Sequence, residues 1–98
     1  MLRIHHVAII CSDYERSKHF YTEMLGLRVL RETYRTDRRS YKLDLQLADH
    51  TQLELFSFPQ PADRPTQPEA CGLRHLAFAV TDLAAMIDRL EQFGVTVE

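Results

Sequence analysis

The 98-residue sequence predicts an α+β fold of paired βαβββ modules, the second of them incomplete in this chain. Three observations predict it. Stretches of period-two apolar alternation, the mark of strands, follow a segment with a helical stripe. The opening strand-and-helix pattern returns 69 positions later. A proline-rich stretch separates the two copies.

Each element has its own signal. Residues 3–10 read as a strand with Val7 and Ile9 on one face and His6, Ala8 and Ile10 on the other. Ser12 and Glu15 have the spacing of a capping box. A helix is therefore expected over residues 13–25, stopped at Gly26, which takes the left-handed conformation without a steric penalty. Its stripe is Tyr14, Ser17, Tyr21 and Met24, widened by Phe20 and Leu25. Strands follow over 28–35, 41–47 and 51–58, separated by the polar turns 37–40 and 48–50. In the second of these, Tyr41, Leu43, Leu45 and Leu47 alternate with Lys42, Asp44 and Gln46.

Pro59, Pro61, Pro65 and Pro68 then forbid a regular strand or helix interior. Beyond them a strand is expected over 74–80. Thr81 and Asp82 should cap a helix with Leu83, Met86, Ile87, Leu90 and Phe93 on one face. Gly94 stops it, and residues 95–97 start another strand. The organisation is then one domain over residues 1–98, comprising a first module (1–58), a linker (59–73) and the start of a second module (74–98).

The repeat can be read residue by residue. His6-Val7-Ala8-Ile9-Ile10 parallels His75-Leu76-Ala77-Phe78-Ala79, and Asp13 parallels Asp82, both at an offset of 69. Gly26-Leu27-Arg28-Val29 parallels Gly94-Val95-Thr96-Val97 at 68, which places a one-residue deletion in the second helix.

Composition narrows the partners. Twelve Lys and Arg against fourteen Asp and Glu give a net charge of −2, which argues against a nucleic-acid binder or a polybasic membrane anchor. No apolar run approaches the ~20 residues a membrane span needs. Two cysteines, Cys11 and Cys71, make no disulfide scaffold and fit a cytoplasmic setting.

Three residues point to chemistry. His6, Glu54 and His75 each sit in an expected strand, on the face opposite their apolar neighbours. A carboxylate on a largely apolar strand face is costly unless paired or metal-bound. Two imidazoles and a carboxylate suit a divalent metal ion such as Ni, Zn, Fe(II) or Mn. His6 and His75 are repeat equivalents, and the equivalent of Glu54 falls beyond Glu98, so an intact version is expected to hold a His-Glu-His-Glu site. His5 is read as structural or exposed, and His19 and His50 as solvated. Cys11 is read as packing, and Arg35, Arg38 and Arg39 as a solvated turn.

The same residues resemble the vicinal oxygen chelate superfamily, also called the glyoxalase/bleomycin-resistance/dioxygenase superfamily. The resemblance rests on His6-Val7-Ala8-Ile9, Asp13-x-x-Arg16-Ser17-x-x-Phe20-Tyr21, Leu25-Gly26-Leu27, Leu53-Glu54-Leu55-Phe56, Gly72-Leu73-Arg74-His75-Leu76-Ala77-Phe78 and Val80-x-Asp82. It spans almost the whole chain and leans toward glyoxalase I-like lyases. The resemblance implies curved sheets around a divalent metal ion, with His6, Glu54 and His75 at the first three ligand positions. It also implies a homodimer, and a lyase or isomerase reaction on a small-molecule substrate with two chelating oxygens, through a metal-stabilised enediolate with Glu54 as ligand, base or both. The family equally hosts Fe(II) extradiol-type dioxygenases and non-catalytic antibiotic-binding resistance modules, which stand as alternatives. Two departures bear on the substrate. Ile10 stands where glyoxalase I enzymes commonly have an arginine contacting glutathione, and Phe58 where they commonly have an asparagine. Apolar side chains cannot satisfy a carboxylate or an amide, which puts glutathione dependence in question.

Overall fold

The computed structural model describes residues 1–98 and divides into two compact units, Met1–Asp63 and Arg64–Glu98. The first unit holds β1 (His6–Ile10), α1 (Tyr14–His19), a π-helical turn (Phe20–Met24), β2 (Arg28–Arg35), β3 (Ser40–Gln46) and β4 (Gln52–Phe56). The strands form one sheet in the order β1-β4-β3-β2. β1 runs parallel to β4, and the other neighbours are antiparallel. The unit is thus a βαβββ module.

The sheet's two faces follow from the alternation. Leu43 and Leu45 of β3 and Leu53 and Leu55 of β4 are essentially inaccessible, and they pair across the ladder as Leu43 with Leu55 and Leu45 with Leu53. Cys11 and Tyr14 join this core, and Val7, Ile9, Tyr21, Leu27 and Leu47 pack against it. Burying one such leucine contributes about 2 kcal/mol, so the two central strands supply most of the hydrophobic drive. Burial also pushes the Cys11 thiol up from its ordinary pKa of 9.0, consistent with a packing role.

The first helix begins differently from the expectation. Its N-cap is Asp13, whose Oδ1 accepts from the Arg16 amide at 3.1 Å, and not Ser12 of the expected capping box. A carboxylate accepts that bond more strongly than a hydroxyl and favours the positive end of the helix dipole. The repeat extends to this geometry. Asp82 caps α2 (Leu83–Gln92) from φ −137°, ψ 97°, against −134°, 96° at Asp13, and accepts from the Ala85 amide at 3.0 Å.

The helix expected over 13–25 changes type at Phe20. Leu25 N–H reaches five residues back to the Phe20 carbonyl at 2.9 Å, and Leu27 N–H six back to Tyr21 at 2.9 Å. In α2 the counterpart Val95 N–H reaches five back to Leu90 at 3.0 Å. The drop in repeat offset from 69 to 68 therefore has a physical form: the first copy houses its extra residue as a wide turn. Thr22 Oγ1 donates to the Lys18 carbonyl at 2.6 Å within this wide turn. Both copies still end on a positive-φ glycine, Gly26 at 75° and Gly94 at 82°.

A polar network ties α1 to β2 on the core side. Tyr14 Oη donates to Glu32 Oε2 at 2.6 Å, and Lys18 Nζ donates to the same oxygen at 2.8 Å. The Lys18 bond, then the Tyr14 bond, hold the Glu32 carboxyl below its ordinary 4.5. A depressed carboxyl stabilises the fold above pH 4.5 and loses that contribution as pH falls through the lower folded value. Glu32→Gln is expected to cost about 1 kcal/mol at neutral pH, a figure reduced by the group's partial exposure, and to flatten the acid limb of Tm against pH. An acid limb as steep in Glu32→Gln as in the parent chain would contradict this.

In the second unit α2 is the one regular element. Residues 74–80 and 95–97, expected as strands, belong to no sheet. A strand exists through the ladder it shares. β1 acquires its ladder from β4, and no strand plays that part for 74–80.

Candidate functional site

The face of the sheet opposite the core is arranged in rows by the ladder register. One row runs His6, Gln52, Gln46, Arg28; the next runs Ala8, Glu54, Asp44, Arg31; a third runs Ile10, Phe56, Lys42, Thr33. The parallel β1–β4 pairing starts where Gln52 N–H donates to the His5 carbonyl at 2.9 Å. That bond fixes the backbone beside His6.

His6 and Glu54 are brought together. His6 Nε2 lies 3.9 Å from Glu54 Oε2, with the imidazole half-exposed and the carboxylate mostly buried. His5, expected as structural or exposed, is exposed and lies 2.9 Å from His6, Nδ1 to Nδ1. The tautomer in which His6 donates leaves its Nε2 lone pair toward Glu54. His75 lies in the second unit, where it lines a cleft of about 460 Å³ with Arg64, Glu69, Cys71 and Arg74. No group of three or more His, Cys, Asp or Glu side chains gathers around a single point.

Two residues outside the sequence-based set join the His6–Glu54 pair. Asp44 sits directly across the ladder from Glu54, on the same face. Like charges in facing positions repel unless a cation intervenes. Lys42 supplies one: its Nζ is 3.3 Å from Asp44 Oδ1 and 3.8 Å from Glu54 Oε2. The closer contact does not have hydrogen-bond geometry, so the buried Asp44 Oδ1 is left without a hydrogen-bond donor. The alternation of 41–47 put Lys42 and Asp44 on one face, but only the β3–β4 register says that Glu54 faces Asp44.

His6 Nε2 and Glu54 Oε2 are donors of the types a divalent metal ion takes, and no third such group stands beside them. The 3.9 Å between His6 Nε2 and Glu54 Oε2 is within twice a metal–ligand bond of about 2.1 Å. Two facing carboxylates with an orphaned buried acceptor form an environment short of positive charge.

A curved mixed sheet of four strands with helix α1 on its core side, and a polar face bearing a His–Glu pair, defines a βαβββ α+β protein. The chain belongs to the Glyoxalase/Bleomycin resistance protein/Dioxygenase superfamily, whose family model matches residues 3–98. It is 57% identical over 95 residues to YwkD of Bacillus subtilis (strain 168), covering 97% of this chain and 74% of that protein. It is 51% identical over 96 residues to YaeR of Escherichia coli (strain K12), covering 98% and 74%. The crystal structure of SMU.1112c superposes with a TM-score of 0.90 at 44% identity, over 100% of this chain and 79% of that one. The fold alone is shared with the trypanothione-dependent glyoxalase I of Leishmania major, at TM-score 0.78, 24% identity and 100% and 70% coverage. It is also shared with the fosfomycin resistance protein FosX of Listeria monocytogenes, solved with Mn(II), at TM-score 0.74, 13% identity and 100% and 74% coverage. No helix is long and apolar enough to cross a membrane.

Proposed function

We propose that this chain contributes to a divalent-metal site through His6, Glu54 and His75. We propose further that it serves lyase or isomerase chemistry of the glyoxalase type, on a small substrate presenting two vicinal oxygens. The observation that carries the reading is the His6–Glu54 pair, 3.9 Å apart on the open sheet face. Family membership and a fold relative solved with Mn(II) support it.

When bound, the ion would polarise the two vicinal oxygens and so acidify the C–H on the carbon that carries one of them, beside the carbonyl carbon. The rest falls to the side chains. His6 offers an imidazole nitrogen, oriented by its contact with His5. Glu54 contacts Lys42 and His6 through Oε2, which leaves Oε1 to accept a proton from carbon and return it to the neighbouring carbon. Lys42 holds the carboxylate in place and balances Asp44.

Elemental mass spectrometry on protein purified without chelator tests the site. Near one metal ion per chain is expected, and loading with Ni, Zn, Mn and Fe(II) in turn should identify the preferred ion. No retained metal under any loading would refute the reading. Isomerase assays on hemithioacetals of several thiols then test the reaction.

A further inference from the structure

Arg35 is half-buried at the end of β2, and Arg38 is exposed in the turn that follows, as expected, but both lie over aromatic rings. Arg35 closes β2 on the same face as Lys42 and Glu54, and its guanidinium carbon lies 5.5 Å from the centre of the Phe56 ring. Arg38 lies 5.2 Å from the centre of Phe58, and the two phenyl rings are parallel within 7°, 6.2 Å apart. The result is two guanidiniums held over two stacked rings. An arginine seated on an aromatic face has its plane fixed while its N–H edge stays available to a planar or tetrahedral oxyanion.

Nothing within the chain uses those edges. The carboxylates of this face, Asp44 and Glu54, pair with Lys42 and His6, and no ion pair joins Arg35 or Arg38 to a carboxylate. Arg35 Nε is buried with no hydrogen-bond partner. A buried donor that cannot shed its proton is costly to leave unmatched, so it points to an acceptor from outside. In a chain of net charge −2 this end of the sheet is locally cationic.

We propose that Arg35 and Arg38, seated on Phe56 and Phe58, form the anion-binding subsite for the substrate of the His6–Glu54 site. This rests on the metal-site reading above. Phe56 is two residues along β4 from Glu54, about 7 Å. The substrate therefore carries an oxyanion, carboxylate or phospho, about 7 Å or more from its chelating oxygens. The apolar residues at Ile10 and Phe58 then do not abolish anion recognition. Phe58 becomes the platform for Arg38, and the recognition moves to β2 and the turn after it.

Two measurements on the full chain separate this proposal from the reading it rests on. The first is a titration of the metal-free protein with inorganic phosphate, followed by the ¹⁵N signals of the arginine Nε–H groups. Saturable shifts at Arg35 and Arg38, with Arg28 at the far end of the face unmoved, are expected. Equal small drifts at all arginines would overturn the anion site. The second compares adipic acid monohydroxamate with its neutral terminal amide on the metal-loaded chain. Binding of the amide reads the metal site. A preference for the acid of about tenfold is expected, as for one charge-assisted hydrogen-bonded contact, and should vanish in Arg35→Gln and Arg38→Gln and survive in part in Arg35→Lys. Equal affinity for acid and amide, or a preference that survives both Gln variants, would overturn the subsite. If neither hydroxamate binds, the metal-site reading fails and the subsite assignment fails with it, while the phosphate shifts still decide whether the arginines hold an anion.

Discussion

Glu54→Ala is expected to lower metal affinity by about a hundredfold or more, and to do so without unfolding the chain. The affinity loss follows from removing a ligand outright, since even weakening a partner of a ligand costs about 10–100-fold. The retained fold follows from where Glu54 sits. It lies on the open face, across from Asp44, so its removal takes away a like-charge neighbour as well as a contact to Lys42. These effects oppose each other, and the metal-free protein should change by less than about 0.5 kcal/mol. Elemental analysis and scanning calorimetry on the same sample read both halves. His6→Ala and His75→Ala should lose metal as well. Unchanged stoichiometry in all three variants would dismiss the ligand set.

Leu55→Ala should do the reverse, with a cost of about 3–4 kcal/mol, because the site lies between two well-packed central strands and cannot collapse around the lost carbons. Leu55 is fully buried, pairs with Leu43 and Ile9 across two ladders, and belongs to the cluster that includes Tyr14. For a chain of this size such a loss corresponds to a fall in Tm of roughly 15–25 °C. Leu30→Ala, at a 40% exposed position on the edge strand β2, is the control and should cost under about 0.5 kcal/mol. Thermal unfolding by circular dichroism distinguishes the two. Equal shifts would mean that the β3–β4 leucines are not the core.

The strands of the first module and their faces were legible because alternation is a local signal, whereas 74–80 and 95–97 carry strand patterns and form no strand for want of a partner. The pattern Tyr41, Leu43, Leu45, Leu47 against Lys42, Asp44, Gln46 places every side chain of β3 once the core face is known. The caps and stops were legible for the same reason, except where Asp13 and Ser12 compete for one position and the carboxylate wins. Register was not legible. That Glu54 faces Asp44, or that Arg35 reaches Phe56, depends on which residues of distant strands are neighbours, and no local pattern carries that. The aromatic seats of Arg35 and Arg38 were not legible because Phe56 and Phe58 are some twenty positions away in the sequence. His6 and His75 were found by self-similarity, which pairs equivalent positions without specifying distances.

The wide turn at Phe20–Met24 bears on how such a doubled chain diverges. The two copies differ in length by one residue, and a residue gained or lost inside a helix would normally rotate everything after it by about 100°. Here the difference is absorbed within a single turn, so both copies still reach a positive-φ glycine stop. The helix thus serves as the expansion joint of the module, and length variation among relatives should concentrate there before it appears in β3 or β4, where one residue would carry Glu54 to the wrong side of the sheet.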